Sequence, residues 1–175
     1  MKKRPFLTVS EISLFAMFGG VIFASKLLMA SIPNVHLVGL FILVLTAVYR
    51  VKALVPIYVY ILLEGVVYGF SAWWVPYLYV WLPLWGAGMA LNKIRNEKLL
   101  VFLYPVAGLL HGLTFGTMFA PSQALFFHLD FKGMIGWIAV GFPYDLVHGA
   151  SNLAFCFLAV PLIRLVRRLN VKFFS

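Results

Sequence analysis

The sequence has little charge and almost no cysteine. Only 11% of its 175 residues are charged, and Cys156 is the one cysteine. A single cysteine excludes a disulfide framework, or a metal site built from cysteine pairs, within this chain. The sequence also lacks a Walker A motif, a Gly-x-Ser-x-Gly elbow and a His-Glu-x-x-His motif, so the common signatures of nucleotide binding and hydrolysis are absent.

Hydrophobic residues make up 63% of the chain, and the mean hydropathy is +0.99. An ordinary globular domain is about half apolar and about a quarter charged. The apolar runs approach the roughly 20 residues of a membrane-spanning helix, and they do not alternate as barrel strands do. We therefore predict an all-α integral membrane protein, with residues 1–175 forming one domain that has no room for a soluble catalytic unit.

Polar and proline-containing breaks divide the chain into six predicted transmembrane helices. The predicted bounds are 10–31, 35–49, 53–70, 77–91 and 99–120, with a sixth helix after Pro143 in the apolar stretch 133–165. Residues 121–132 are predicted to form the longest polar connection, and Pro143 to interrupt the last apolar stretch. Helix 1 follows Lys2-Lys3-Arg4 without a typical cleavage site, so it is predicted to be retained and not removed as a signal peptide.

The basic residues predict the orientation of these helices. Twelve of the fourteen lysines and arginines fall in the N-terminal segment, the connections after helices 2 and 4, and the C-terminal segment. Lys132 lies in the opposite set of connections, and Lys26 lies within helix 1. Because cytoplasmic connections retain positive charge, both termini are predicted to be cytoplasmic. The net charge of +9 is then explained by topology, and no nucleic-acid partner is predicted.

Several polar residues fall inside the predicted spans, where they must face protein or water. Lys26 and Glu64 either pair with each other or are satisfied separately. Asp145, His148 and Asn152 share one stripe of helix 6 because they are spaced three and four residues apart. His36 and His111 are candidates for the same interior, and hydrogen bonding is favoured there over a metal site.

Aromatic residues gather where helix 3 ends and helix 4 begins. Trp73 and Trp74 are candidates for an interfacial belt. Tyr77, Trp81 and Trp85 lie on one face of helix 4, which is typical of a lipid-facing or core stripe as well as of a ligand site.

Ala16, Gly20 and Ala24 form a ridge of small residues on helix 1. Such a ridge lets another helix backbone approach closely. The pattern is compatible both with docking of a partner protein and with internal packing against helix 3 or helix 6.

Together, these features resemble the S-components of energy-coupling factor (ECF) vitamin transporters, and among them a cobalamin-specific subgroup. The segments that carry the resemblance are Pro33-Asn34-Val35-His36-Leu37, residues 63–69 with Trp73-Trp74, Tyr77-Leu78-Tyr79-Val80-Trp81, and residues 143–148.

The resemblance implies a non-enzymatic subunit of a bacterial plasma-membrane importer. This subunit captures a vitamin from outside the cell, and cobalamin is the first candidate. It implies a transmembrane coupling subunit on which the chain topples and two cytoplasmic ATPase subunits that hydrolyse ATP, with no cofactor in the chain itself. It also implies docking through Ala16, Gly20 and Ala24, and substrate contacts at Asn34, His36, Trp73, Trp74, Tyr77, Trp81, Asp145, His148 and Asn152.

The alternatives are an S-component for a smaller vitamin such as pyridoxine or a pyrimidine, and a membrane scaffold of the cell envelope that binds no small molecule. An enzyme using Asp145 and His148 ranks third.

Overall fold

The computed structural model describes residues 6–174, with side chains up to residue 170. Lys2, Lys3 and Arg4 and the side chain of Lys172, all part of the predicted basic segments, lie outside the described residues. Within that range the chain is all-α, as predicted, and has no strand. The helices are α1 Val9–Leu28, α2 Val38–Tyr49, α3 Leu54–Tyr68, α4 Tyr77–Val80, α5 Leu82–Leu91, α6 Glu97–Leu113, α7 Phe115–Phe126, α8 Phe131–Cys156 and α9 Ala159–Phe174; a 3₁₀ turn covers Arg50–Ala53.

Three helical stretches are long and apolar enough to cross a membrane: Val9–Leu28, Val38–Tyr68 and Glu97–Phe126. The pair of α8 and α9, which meet at 53°, passes the same test as a fourth. The distribution of polarity agrees, because Met17, Phe102 and Val140 are exposed whereas Glu64 and Asn152 are buried. Large apolar side chains outside and polar ones inside indicate a membrane protein.

The first three helices alternate in direction. Lys52, just before α3, contacts Glu11 at the start of α1, and Lys26 near the end of α1 contacts Glu64 late in α3. Helices α1 and α3 are therefore parallel. The ring of Tyr49, at the end of α2, packs 5.1 Å from that of Phe15, so α2 is antiparallel to both, and the chain reverses at the 3₁₀ turn.

The basic connections gather at one end of the bundle, which we call the basic end. Three contacts join them: Lys52 Nζ to Glu11 Oε1 at 2.6 Å, Arg164 Nε to Glu97 Oε1 at 2.6 Å, and Arg167 Nη2 to the Ala47 carbonyl oxygen at 3.1 Å. The opposite end, which holds the Lys26–Glu64 pair and His36, is called the histidine end. The segregation of charge expected from the sequence is thus present among the described side chains.

The predicted break at Pro143 is wrong. Pro143 lies inside the continuous helix α8, and the chain breaks instead at Phe157 and Leu158. Pro161 explains that position, because it has no N–H to donate to the Phe157 carbonyl. A membrane helix tolerates an internal proline such as Pro143 where neighbouring helices and small adjustments satisfy the freed carbonyl.

Residues 121–132 do not form the predicted long connection. Helix α7 continues through Pro121 to Phe126, and only residues 127–130 link it to α8. The predicted helix 5 is instead divided at Thr114, whose hydroxyl donates to the Leu110 carbonyl at 2.8 Å. Side-chain bonding of this kind is a known cause of helix bending.

Helix 4 is also divided, into α4 and α5, at Trp81. Pro83 cannot donate to the Tyr79 carbonyl, which explains the break. Trp81 is therefore the residue at the junction of α4 and α5.

Candidate functional site

Three buried histidines meet at the histidine end. His36 precedes α2, His111 lies in α6 and His148 lies in α8. The His148 ring centroid is 4.7 Å from that of His36 and 6.0 Å from that of His111. Burial, together with the nearby Lys26 ammonium, lowers the pKa of His36 to about 3, so this imidazole is neutral.

Trp81 forms the wall beside these rings. It is 1% exposed, stacks on His111 with centroids 5.3 Å apart, and contacts His36 edge-on at 6.2 Å. Phe115 closes the other side, 4.7 Å from His148 and 5.4 Å from Trp81. The histidines therefore lie within an aromatic box and not in water.

The polar atoms of this box are largely unpartnered. Among the described residues, both ring nitrogens of His148, Nδ1 of His36 and of His111, and Nε1 of Trp81 are buried without a hydrogen-bond partner. His111 Nε2 lies 2.9 Å from the Val80 carbonyl, and a carbonyl only accepts, so Nε2 carries the proton and Nδ1 is an acceptor. Each unsatisfied buried group costs about 1–3 kcal/mol. These atoms therefore need hydrogen-bond partners from water or from a bound molecule.

An ion pair lies beside the aromatic box. Lys26 Nζ is 2.6 Å from Glu64 Oε2 and 3.3 Å from the Tyr77 hydroxyl. The Glu64 side chain is 1% exposed and that of Lys26 is 25% exposed. The structure thus favours pairing over the alternative that each residue is satisfied separately.

A cavity of about 200 Å³ opens next to this pair. Lys26, Asn34, His36 and Tyr68 are among its lining residues. Asn34 has a φ of 60°, a left-handed conformation that asparagine adopts more readily than most residues. The cavity, the ion pair and the aromatic box together form the candidate site.

Not every predicted contact lies in that site. Trp74 donates from Nε1 to the Ile61 carbonyl at 2.8 Å and packs on Phe70, so it joins the segment after α3 to that helix. Trp73 instead contacts Tyr77, with ring centroids 5.6 Å apart. Only Trp73 of the two tryptophans extends the aromatic wall.

The predicted stripe on α8 faces the protein interior, but its three members have different neighbours. Both Asp145 oxygens lie 3.0 Å from the Gly116 nitrogen at the start of α7. Asn152 Nδ2 donates to the Gly108 carbonyl at 3.2 Å. Asp145 and Asn152 therefore form hydrogen bonds from α8 to α7 and α6, respectively. His148 lies between them in the aromatic box.

The sequence reading missed Phe115, Phe119 and Tyr60 as parts of the site. Phe119 contacts Phe115, with ring centroids 5.0 Å apart, and Tyr77 at 5.7 Å. Phe115 and Phe119 follow His111 at four and eight residues, a spacing that would have placed them on one face. Tyr60 contacts Trp81 at 6.1 Å, and its hydroxyl is buried without a partner among the described residues. Nothing in its sequence neighbourhood distinguishes it from other aromatic residues of α3.

No group of three or more histidine, cysteine, aspartate or glutamate side chains in the described part of the chain could hold a metal ion. The three rings meet mainly edge to face.

The small-residue ridge lies on the outer surface of α1. Ala16 and Ala24 are exposed, and a Cβ at Gly20 would meet nothing within 4 Å. Gly19 is the residue that packs internally, since a Cβ there would lie 2.4 Å from Val59 Cγ1. Packing of the ridge against α3, or against α8 as the sixth predicted helix, is thus not what the structure shows.

Comparisons of the chain with models of known protein families, with curated proteins and with solved structures give no match.

Proposed function

We propose that this chain is the substrate-binding subunit of an ECF-type importer and captures a vitamin at its histidine end. The observation that carries the proposal is the aromatic box, in which buried, unpartnered polar atoms lie beside a cavity. A site that holds a ligand without chemistry is mainly apolar and aromatic, with a few placed polar groups. The box of Trp81, Phe115 and three imidazoles has that composition.

The helix directions support the proposed topology of six spans with both termini cytoplasmic. Helix α1 begins at the basic end, and α9 also lies there. The Lys52–Glu11 and Arg164–Glu97 ion pairs lie at this end. The reversal between α2 and α3 supports counting the stretch 38–68 as two of these six passes. Cytoplasmic placement of the basic end follows from its positive charge and puts the histidine end outside, as capture of an external vitamin requires.

The size of the cavity bears on which vitamin is bound. The resemblance points to cobalamin, a large macrocycle, but the cavity of about 200 Å³ is below the roughly 300–1,000 Å³ typical of drug-sized ligands. A single heteroaromatic ring of the size of pyridoxine or a pyrimidine fits the observed volume better. We therefore favour the smaller-vitamin alternative, with the ring in this cavity against Tyr68 and hydrogen-bonded to His36, whose imidazole contacts that of His148.

The exposed ridge of Ala16, Gly20 and Ala24 supports docking of a coupling subunit. Small residues on a lipid-facing surface permit close backbone approach by a helix of another protein. ATP hydrolysis would then take place on cytoplasmic ATPase subunits, and the assembly would reside in a bacterial plasma membrane.

The first test is identification of the ligand. Protein purified in mild detergent is analysed by mass spectrometry for retained vitamins and then titrated with pyridoxine, pyrimidines and cobalamin while tryptophan fluorescence is followed. We expect one small heteroaromatic vitamin to bind with a Kd below about 10 µM, equivalent to about 7 kcal/mol. If none of these compounds binds, the scaffold alternative replaces the importer.

Matched variants then locate the site. His148→Phe keeps a ring but removes both nitrogens, and we expect it to weaken binding at least tenfold, about 1.4 kcal/mol. His128→Phe is the control because His128 is exposed in the connection after α7. Equal affinity for both variants would place the ligand elsewhere while leaving the transport function intact.

A further inference from the structure

A second cavity, of about 330 Å³, lies at the basic end, far along the bundle from the histidine box. It is formed between the connection from α5 to α6 and the face of α9. Its lining includes Asn92, Arg95, Tyr104, Val160, Ile163 and Arg167. Two cationic groups therefore share one concave site with apolar side chains.

The acidic residue of this cavity does not cancel those two charges. Glu97 also lines the cavity, but both of its carboxylate oxygens accept hydrogen bonds from the Arg164 guanidinium. Arg95 takes part in none of the ion pairs among the described residues. Arg167 uses Nη2 to donate to the Ala47 carbonyl, and its remaining donors are available to an anion.

The floor of the cavity is apolar and buried. Val160 and Ile163 are each 5% exposed, and Tyr104 is 2% exposed. A free phosphate ion gains nothing from such a floor, whereas an amphiphile places its headgroup on the arginines and its acyl chain against the aliphatic side chains. The lining thus matches an amphiphilic anion better than a small soluble one.

The amphipathic character of helix α9 supports a position of the cavity near the lipid headgroups. The helix is strongly amphipathic, with Ile163 buried and Arg164, Arg167 and Arg168 exposed. It bends by 53° from α8. Basic amphipathic helices lie in the membrane interface with their charged face toward the headgroups.

We propose that this cavity binds the phosphate of an anionic phospholipid through Arg95 and Arg167. Arginine suits the role because its planar guanidinium presents several donors in the geometry of phosphate oxygens. Basic pockets between helices on the cytoplasmic side are a recognised type of lipid site. The inference is independent of the vitamin-binding proposal, because it uses neither the histidines nor the ridge.

The test uses the full chain in nanodiscs that contain dioleoylphosphatidylglycerol and dioleoylphosphatidylcholine in equal amounts. The protein is released, and the lipids that it retains are counted by native mass spectrometry. We expect at least tenfold preference for phosphatidylglycerol in the wild type, and loss of most of that preference in Arg95→Gln/Arg167→Gln. The charge-matched control is Lys93→Gln/Arg168→Gln, which removes two neighbouring cations that do not line the cavity.

Two further measurements separate the outcomes. Arg95→Gln alone leaves the Arg167 contact with Ala47 intact, so at least a threefold loss of preference in this variant supports the site even if the double variant folds poorly. Competition with inorganic phosphate distinguishes the source of the anion. Displacement of the lipid by millimolar phosphate, or equal losses in the cavity and control variants, would overturn the proposal.

Discussion

Lys26 and Glu64 join α1 to α3 at the histidine end, with Nζ and Oε2 2.6 Å apart. A second ion pair, between Lys52 and Glu11, joins the same two helices at the basic end. The two ion pairs differ in setting, because the Glu64 side chain is 1% exposed and that of Glu11 is 25% exposed. Burial makes the loss of one partner more costly at Glu64.

Lys26→Met leaves the Glu64 carboxylate buried without its cation, and we expect this variant to unfold at a clearly lower temperature than the wild type. Removing one partner of a buried pair costs about 3–5 kcal/mol, and the partial exposure of Lys26 reduces that figure. Lys26→Met/Glu64→Gln should recover much of the loss. Thermal unfolding in detergent compares these proteins with Glu64→Gln, and additive effects of the two substitutions would show that the pair is not coupled.

Gly19→Ala and Gly20→Ala should differ although the residues are adjacent. A Cβ at Gly19 would lie 2.4 Å from Val59 Cγ1 and 3.1 Å from the Pro56 carbonyl oxygen, whereas one at Gly20 meets nothing within 4 Å. Overpacking typically costs about 1–3 kcal/mol, so Gly19→Ala should lower the unfolding temperature and Gly20→Ala should leave it unchanged. An equal shift of the unfolding temperature in both variants would mean that α1 does not pack on α3 through Gly19.

Gly20→Leu tests the docking ridge. The isolated subunit should keep its stability and ligand affinity, because the site is open in the structure. Co-purification with a coupling subunit and uptake by cells should both be lost, since the bulky side chain separates the two helices. Retained uptake would assign the ridge to lipid contact.

Asp145→Ala should weaken the junction between α6 and α7 without affecting the ligand. The carboxylate accepts from the Gly116 N–H at the start of α7, and loss of such a cap costs about 0.5–2 kcal/mol. Asp145→Asn keeps an acceptor oxygen and should cost less. Hydrogen exchange at Gly116 measures the stability of the junction, and vitamin titration measures the affinity for the ligand. A tenfold loss of vitamin affinity in Asp145→Asn would instead make Asp145 a ligand contact.

Cysteine labelling in a Cys156→Ser background tests the topology. Lys93→Cys lies in the connection between α5 and α6, and Phe127→Cys lies just after α7, with Glu97–Phe126 between them. A membrane-impermeant maleimide should label position 127 and not position 93 in intact cells. Labelling of both would contradict the crossing of this stretch and the cytoplasmic placement of the basic end.

Composition was sufficient to predict the all-α class, and the positions of the basic residues were sufficient to predict that most of them gather at one end, because both depend on average properties of long segments. The stripe on α8 was likewise predictable, since Asp145, His148 and Asn152 are spaced by whole helical turns. Helix breaks were less predictable. Pro143, Pro121 and Pro83 have the same local effect on backbone bonding, yet only Pro83 accompanies a break, because neighbouring helices decide whether a freed carbonyl is tolerated.

The individual contacts of the site could be identified only from the three-dimensional structure. From the sequence, Trp73 and Trp74 are equivalent, but the break after α3 directs Trp74 to the Ile61 carbonyl and Trp73 to Tyr77. Similarly, Lys26 and Glu64 are 38 residues apart, and no local pattern states that they meet. Side-chain pairing between distant helices depends on packing angles that the sequence does not encode locally.

The bond from Gly116 to Asp145 has a consequence for the order in which the protein is made. Its two residues are 29 positions apart, so the Gly116 amide is synthesised before the carboxylate that accepts its hydrogen bond. This amide must therefore be satisfied by water or by the insertion machinery until α8 arrives. Helices α6, α7 and α8 should accordingly enter the bilayer together as one unit, with the junction at Thr114 acquiring its final form last.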